Sequence, residues 1–259
     1  MKNFTARSIA VAIVAAASLM VAGLGYVRVS IRAQPHIDVD RERYPVKGID
    51  ISAHNGVVDF DSLAAADVDF VFVKASEGAA FRDAAFARNY AASRRTGIAV
   101  GAYHFFRFDC DGRRQAANFI SALGALKPDL PLAVDVEEFG NPAQVPTSTV
   151  VARLEAMVAE LRAAGYKVLI YTNKNGYWRF VHKHFDNSLR DAPEVWICSF
   201  SDPPLPKREW RLWQHSHKAR VAGVKGDVDM NTFNGSRQQW LQWLDSVRPD
   251  TIMGLVPRY

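Results

Sequence analysis

Leu130-Pro131-Leu132-Ala133-Val134-Asp135-Val136-Glu137-Glu138 reads as an apolar strand that ends in acids with no helical face to carry them. In an extended chain successive side chains alternate between faces. Asp135 and Glu137 therefore project together, their Cα atoms roughly 6.5 Å apart at about 3.3 Å per residue, while Val134 and Val136 face the other way. Like charges held that close at the end of a buried strand push at least one carboxyl towards its protonated form, as a proton donor near neutral pH requires. Acidic strand ends are also common as plain solvated boundaries, and the neighbouring segments distinguish the two readings.

Outward from this stretch, from about Tyr44 onwards, short apolar segments alternate with amphipathic ones, the pattern of a parallel sheet covered by helices. Eight strands are expected, at 48–52, 70–75, 99–106, 130–138, 168–171, 195–198, 211–214 and 228–231. A short helix is expected at 60–66 and a second from Asp83, as its N-cap, through Phe86 and Tyr90 to Gly97. A third spans 114–123, with Ala116, Phe119, Ile120 and Leu123 at helical spacing. Thr147-Ser148 opens the most periodic helix, with Val151, Leu154, Met157, Val158 and Leu161 along one face and Gly165 as its stop. Ser236 caps a final amphipathic helix carrying Trp240, Leu241, Trp243 and Leu244. Pro203-Pro204-Leu205-Pro206 excludes a helix between the sixth and seventh strands, and the glycine-rich link at 222–226 excludes one before the eighth. The expected fold is an α/β, modified TIM-like (β/α) barrel of about 200 residues whose last third lacks some helices. No internal repeat or second globular domain is visible.

Residues 1–43 differ in kind. Lys2 and Arg7 precede an almost uncharged run at 8–27, after which Arg28 and Arg32 return. Such a run is an export signal, and at about 20 residues it is long enough to cross a bilayer. A cleaved signal peptide and an uncleaved membrane anchor both fit, since the small-residue cleavage site around Val21-Ala22-Gly23 is weak. Residues 1–43 are thus read as signal or anchor plus linker, and 44–259 as the barrel with its C-terminal amphipathic helix. The chain of 259 residues is 49% hydrophobic and 23% charged, which is globular rather than disordered composition. Its net charge of +5 favours an anionic partner, which for an exported protein is cell-wall polymer or membrane surface rather than nucleic acid. Basic residues are scattered, and the chain is expected to act as a monomer. Cys110 and Cys198 are the two cysteines; an oxidising compartment permits a disulfide without requiring one. No metal-ligand spacing or cofactor motif is present.

Barrel enzymes work at the C-terminal ends of their strands. Asp50, Lys74, Glu77, His104, Asp135, Glu137, Tyr171, Gln214 and Asp229 all fall near the ends of apolar segments. Acids gathered at one end of a barrel oppose folding, a cost tolerated mainly where function needs them. Lys74, in a strand otherwise of Phe and Val, is expected to point at a carboxylate as a structural ion pair or a tuner of site charge. His104 is given a supporting role as a hydrogen-bonded interior histidine, because no nucleophile elbow accompanies it. Tyr103, Tyr171 and Trp213 are core aromatics or, in a groove, surfaces on which sugar rings stack. Carboxylates clustered without a metal set, a phosphate loop or a nucleophile motif point to glycoside hydrolysis, in which two acids flank the bond.

Gly48-Ile49-Asp50-Ile51-Ser52 with Asn55-Gly56, Phe72-Val73-Lys74-Ala75-Ser76-Glu77-Gly78, Gly101-Ala102-Tyr103-His104-Phe105 and Asp135-Val136-Glu137 resemble the family 25 glycoside hydrolases, the Chalaropsis-type lysozymes. Ile170-Tyr171-Thr172, Val195-Trp196-Ile197, Leu212-Trp213-Gln214 and Val228-Asp229-Met230-Asn231 extend the likeness to residues 48–233. The resemblance implies a modified β/α barrel that cleaves the β-1,4 bond between N-acetylmuramic acid and N-acetylglucosamine in peptidoglycan. It implies Glu137 as general acid, with Asp50, Asp135 and Asp229 as the other catalytic acids, and no cofactor. Tyr103, Tyr171, Trp213, His104 and Gln214 are the expected substrate-binding residues. Two routes are compatible: carboxylates stabilising charge at the sugar carbon, or Asp135 orienting the substrate's own acetamido group as nucleophile. His54 stands where the family commonly has glutamine, Ser76 where threonine is frequent, and the extra Glu138 points away from the other two acids. The alternatives are a non-catalytic peptidoglycan-binding barrel and a metal-dependent phosphodiesterase using His104, Asp135 and Glu137.

Overall fold

The computed structural model describes residues 37, 39–185, 193–200 and 210–248; the 8–27 run and Pro203-Pro204-Leu205-Pro206 lie outside the described residues. Contacts divide the chain into Met1–His36 and Ile37–Tyr259, and the described residues belong to the second unit. Among them no helix is long and apolar enough to cross a membrane.

Among the described residues nine strands form one sheet: β1 (Lys47–Ile51), β2 (Phe70–Glu77), β3 (Phe81–Arg82), β4 (Ala99–Phe105), β5 (Leu132–Asp135), β6 (Val168–Asn173), β7 (Glu194–Cys198), β8 (Leu212–Ala219) and β9 (Val228–Phe233). They lie in the order β1-β9-β8-β7-β6-β5-β4-β2-β3, and an additional β1–β2 pairing closes eight of them into a barrel. The ninth, β3, is a two-residue hairpin partner of the end of β2 that the sequence pattern does not announce. β9 runs antiparallel to both β8 and β1, which corrects the expected all-parallel arrangement. The reason is length. A parallel return needs a crossover of a dozen residues or more, and residues 220–227 supply only a turn.

Helices α1 (Phe60–Ala65), α2 (Phe86–Thr96), α3 (Gly112–Leu123), α4 (Thr147–Ala163) and α5 (Arg237–Val247) match the helical periodicities. Ser236 caps α5 in a reciprocal arrangement with Gln239. Asp83 does not cap α2, whose first residue is Phe86. Its carboxylate instead accepts from the backbone N–H groups of Ala53 (2.9 Å) and Ala85 (2.8 Å), tying the turn after β1 to the entry of α2.

Strand alternation sorts the apolar residues into two layers. Val71, Val73, Val100, Ala102, Val134 and Ile170 face outwards and pack with Phe119, Leu154 and Leu161 of the helices. Phe70, Phe72, Ala133, Leu169, Trp196, Leu212 and Phe233 fill the interior together with Trp240, Trp243, Leu244 and Val247 of α5. Aromatic contacts run through that interior, Phe72 on Trp196 at 4.7 Å and Phe70 on Trp240 at 5.1 Å between ring centroids. Gly48 and Gly101 make room for those rings: a Cβ would lie 2.2 Å from Phe70 at the first and 2.4 Å from Phe72 at the second. With α5 plugging one end of the barrel, polar side chains collect at the other.

Candidate active site

Asp50, Lys74, Tyr103, Asp135, Tyr171 and Gln214 reach the open end from β1, β2, β4, β5, β6 and β8. Asp50 and Asp229 are direct partners in the β1–β9 register, so β9 delivers its acid from its beginning, not its end. The antiparallel return still places Asp229 with the others, because the start of β9 lies beside the end of β1.

β5 ends at Asp135, so the expected strand stops two residues before Glu137. Extended geometry nevertheless continues past it: the Val136 N–H donates to Tyr171 O at 2.8 Å, and Val136 packs outwards with the helix-facing core. Asp135 and Glu137 thus both turn inwards. The Glu137 carbonyl accepts from Asn141 Nδ2 at 2.9 Å, which fixes the loop behind the acid.

Asp50 is the best-held group of the site. Its Oδ2 accepts from Gln214 Nε2 (3.0 Å) and from Asn231 Nδ2 (2.8 Å). Each amide is itself oriented: the Tyr171 hydroxyl donates to Gln214 Oε1 at 2.7 Å, and Trp196 Nε1 donates to Asn231 Oδ1 at 2.9 Å. Two donors favour the ionised form of Asp50, although burial pushes its pKa up. Asp229, hydrogen-bonded to Asp50 and beside its charge, is raised to about 9, chiefly by burial. Of this pair, Asp229 keeps the proton.

Burial, reinforced by the Asp50 charge, pushes Glu137 up to about 7, while Lys74 opposes the shift. Asp135 is held well above the usual carboxylate range by burial and by the charges of Glu137 and Asp50. Its Oδ1 is buried without a hydrogen-bond partner. Such an atom is costly to keep unless a ligand supplies the missing donor. Lys74, 14% exposed, pairs with Glu77 at 2.9 Å and lies over the rings of Phe105 (5.1 Å) and Phe81 (5.6 Å). It is both the expected ion pair and a cation that lowers the pKa of Asp135 and Glu137. Glu138 points away, as expected, into an ion pair with Arg179.

Two expected substrate-binding residues lie elsewhere. His104 follows Tyr103 in β4 and so faces the helices, where its ring packs on Phe119 at 5.4 Å. Its Nδ1 accepts from the Ser76 hydroxyl (2.8 Å) and its Nε2 donates to Gln115 Oε1 (3.2 Å). Burial holds its pKa down at about 4, so the ring is neutral. This orientation also removes His104 from any cluster with Asp135 and Glu137. Trp213, beside Gln214 in β8, packs with Tyr44 and Trp210 and donates Nε1 to Ser199 O at 2.9 Å. The substrate-binding expectation is corrected for both, because adjacent residues of a strand cannot share a face. Tyr103, Tyr171 and Gln214 remain inside. Asn231 and Trp196, absent from the expected set, hold Asp50 in place; their signal was the period of two that puts Asn231 on the same face as Asp229.

Among the described residues no group of three or more His, Cys, Asp or Glu side chains has the arrangement to hold a metal ion. Cys110 and Cys198 are free thiols. Cys198 faces the interior, where burial pushes its pKa up to about 12.

Residues 49–224 match the family model "Glycosyl hydrolases family 25". The chain is 33% identical over 208 residues to Lysozyme M1 of Streptomyces globisporus, covering 76% of this chain and 70% of that protein. It is 33% identical over 204 residues to the N,O-diacetylmuramidase of Chalaropsis sp, covering 71% and 96%. The structure of a family 25 glycosyl hydrolase from Bacillus anthracis superposes with a TM-score of 0.70 at 30% identity, covering 80% of this chain and 96% of that one. With residues 49–224 matching the family model and two relatives 33% identical over more than two thirds of both chains, the chain belongs to glycosyl hydrolases family 25.

Proposed function

We propose that the protein is an exported muramidase that cleaves the β-1,4 bond between N-acetylmuramic acid and N-acetylglucosamine in peptidoglycan. The carrying observation is the set of four acids, Asp50, Asp135, Glu137 and Asp229, gathered at one end of the barrel with unequal hold on their protons. Family membership and the named activities of Lysozyme M1 and the Chalaropsis diacetylmuramidase support it. Residues 8–27 act as export signal or membrane anchor.

In this reading Glu137, with its pKa near 7, gives its proton to the glycosidic oxygen as the C1–O bond breaks. Asp135 Oδ1, the buried acceptor with no partner, receives the N–H of the muramic acid acetamido group. That hydrogen bond turns the acetamido carbonyl oxygen onto C1, where it closes a ring as the leaving group departs. Water then attacks C1 and reopens the ring, returning a proton to Glu137, so the configuration at C1 is retained. The ionised Asp50 stabilises the positive charge that develops on the sugar, while the protonated Asp229 avoids a second buried negative charge beside it. Tyr103, Tyr171 and Gln214 form the inner wall against which the sugar seats.

The test is mass spectrometry of fragments released from purified peptidoglycan by the protein and by its Glu137→Gln variant. Fragments with reducing N-acetylmuramic acid ends, absent with the variant, are expected. Binding without release by the wild type rejects the proposal in favour of a non-catalytic barrel.

A further inference from the structure

Among the described residues five large hydrophobic side chains are exposed: Val57, Phe81, Phe139, Trp178 and Leu241. Single exposed hydrophobics need no explanation, but their distribution here is not scattered. Val57, Phe81, Phe139 and Trp178 lie on the segments that follow β1, β2, β5 and β6, which together ring the mouth holding the acids. Leu241 alone sits on α5, at the plugged end.

Two of the four belong to neighbouring walls. Phe139, 85% exposed, comes two residues after Glu137, and Trp178, 53% exposed, follows the end of β6, the strand paired with β5. Neither segment is loose. The Glu138–Arg179 ion pair joins the residues next to them, and Arg179 Nε donates to Thr147 Oγ1 at 2.8 Å. Asn141 Nδ2 donates to Phe106 O (3.0 Å) and Glu137 O (2.9 Å), bracing the turn that carries Phe139. The Trp178 ring is held edge-on by Tyr177 at 5.0 Å and His182 at 4.4 Å, within a short π-helical turn of the kind enriched at functional sites. An exposed aromatic fixed before its ligand arrives loses little entropy on binding.

We propose that Phe139 and Trp178 form an apolar platform for a sugar of the glycan strand lying beyond the pair at the scissile bond. The proposal rests on the muramidase reading and adds a preference for long strands. Continuity decides the occupant: a linear polymer leaving the acids passes over the rim, and a pyranose presents an apolar C–H face to an aromatic ring. The platform binds the strand and takes no part in bond cleavage.

The experiment compares wild type, Phe139→Ala, Trp178→Ala and the double variant on peptide-free glycan strands of two lengths, a tetrasaccharide and strands of eight or more sugars. Leu241→Ala is the control for loss of exposed apolar surface, and Phe139→Tyr and Trp178→Phe are the conservative replacements. Each alanine is expected to lower kcat/KM on long strands about three- to tenfold, through KM, leaving the tetrasaccharide rate unchanged. The aromatic replacements restore most of the loss. Equal losses on both lengths, or none on either, overturn the platform. If the wild type cleaves neither substrate, the muramidase reading fails separately. Calorimetric titration of long strands then decides: weaker binding by the double variant supports the platform, and unchanged binding overturns it.

Discussion

Asp50 and Asp229 stand directly opposite one another in the antiparallel β1–β9 ladder and share a hydrogen bond. Like charges so placed are destabilising, so one of them must keep its proton. Asp50 accepts from two oriented amides and Asp229 does not, which makes Asp229 the neutral member.

The two isosteric variants of this pair are therefore unequal. Asp229→Asn, still a donor towards Asp50 and free of the proton uptake that folding demands of Asp229 above about pH 4, is expected to be at least as stable as wild type at pH 7. Asp50→Asn sets its amide against those of Gln214 and Asn231 and is expected to cost about 1–3 kcal/mol. Urea denaturation of the two variants measures the difference; equal costs would falsify the assigned proton.

Protonation also couples to folding. Glu137 rises from 4.5 to about 7 and Asp229 from 3.8 to about 9, so between those limits the folded state binds more protons than the unfolded chain. The stability these groups contribute is complete below about pH 4; both lose it together as pH rises to about 7, and Asp229 alone goes on losing it up to about 9. Denaturation midpoints measured from pH 4 to pH 10 should show Glu137→Gln making the decline below about pH 7 shallower, and Asp229→Asn doing the same there while also removing the decline between about pH 7 and pH 9. Profiles parallel to wild type would sink the assignment.

Catalysis should respond to Lys74. Its charge lowers the pKa of both Asp135 and Glu137, so Lys74→Met moves both upwards and carries the pH–rate profile towards alkaline pH. Arg107, 3.9 Å from Glu77, remains to hold that acid once the lysine is gone. Lys74→Arg should restore the original profile. A profile that loses height without moving would mean that Lys74 is structural only.

Glu137→Gln should lower kcat on peptidoglycan by about 10² to 10⁴-fold with no loss of fold, the size of a general acid's contribution. Circular dichroism beside a wall-lysis assay separates the two.

His104 and Trp213 supply the contrast, because they face the helices. His104→Ala strands the buried Ser76 hydroxyl and removes one of the two donors to Gln115 Oε1, which keeps the Arg107 N–H, and is expected to cost about 1–3 kcal/mol. Trp213→Phe removes the bond to Ser199 O and should cost a similar amount. Below their melting temperatures both variants should keep wild-type kcat/KM. A large fall in activity with unchanged stability would return these residues to the site.

Much of this protein is determined by sequence alone. Period-two apolar segments separated by period-3.6 segments dictate strands and helices, and hence a barrel, because each element has one face to bury. The acids at the strand ends could be found for the same reason: apolar surroundings make charge conspicuous. The absence of a helix before β9 was legible in the glycine-rich link at 222–226, whereas the antiparallel direction of β9 was not expected and emerges from its pairing with β8 and β1.

Tertiary structure alone chose between neighbours. Tyr103 and His104 cannot share a face, nor can Trp213 and Gln214, but alternation does not say which of each pair looks inwards. Closure of the barrel and the seating of α5 in its far end set that register. The same closure brings Asp50 to Asp229, and Asn231 and Gln214 to Asp50, across 164 to 181 residues of chain. Which acid keeps its proton follows from those long-range contacts: burial and oriented donors belong to the folded chain, and no local stretch of sequence contains them.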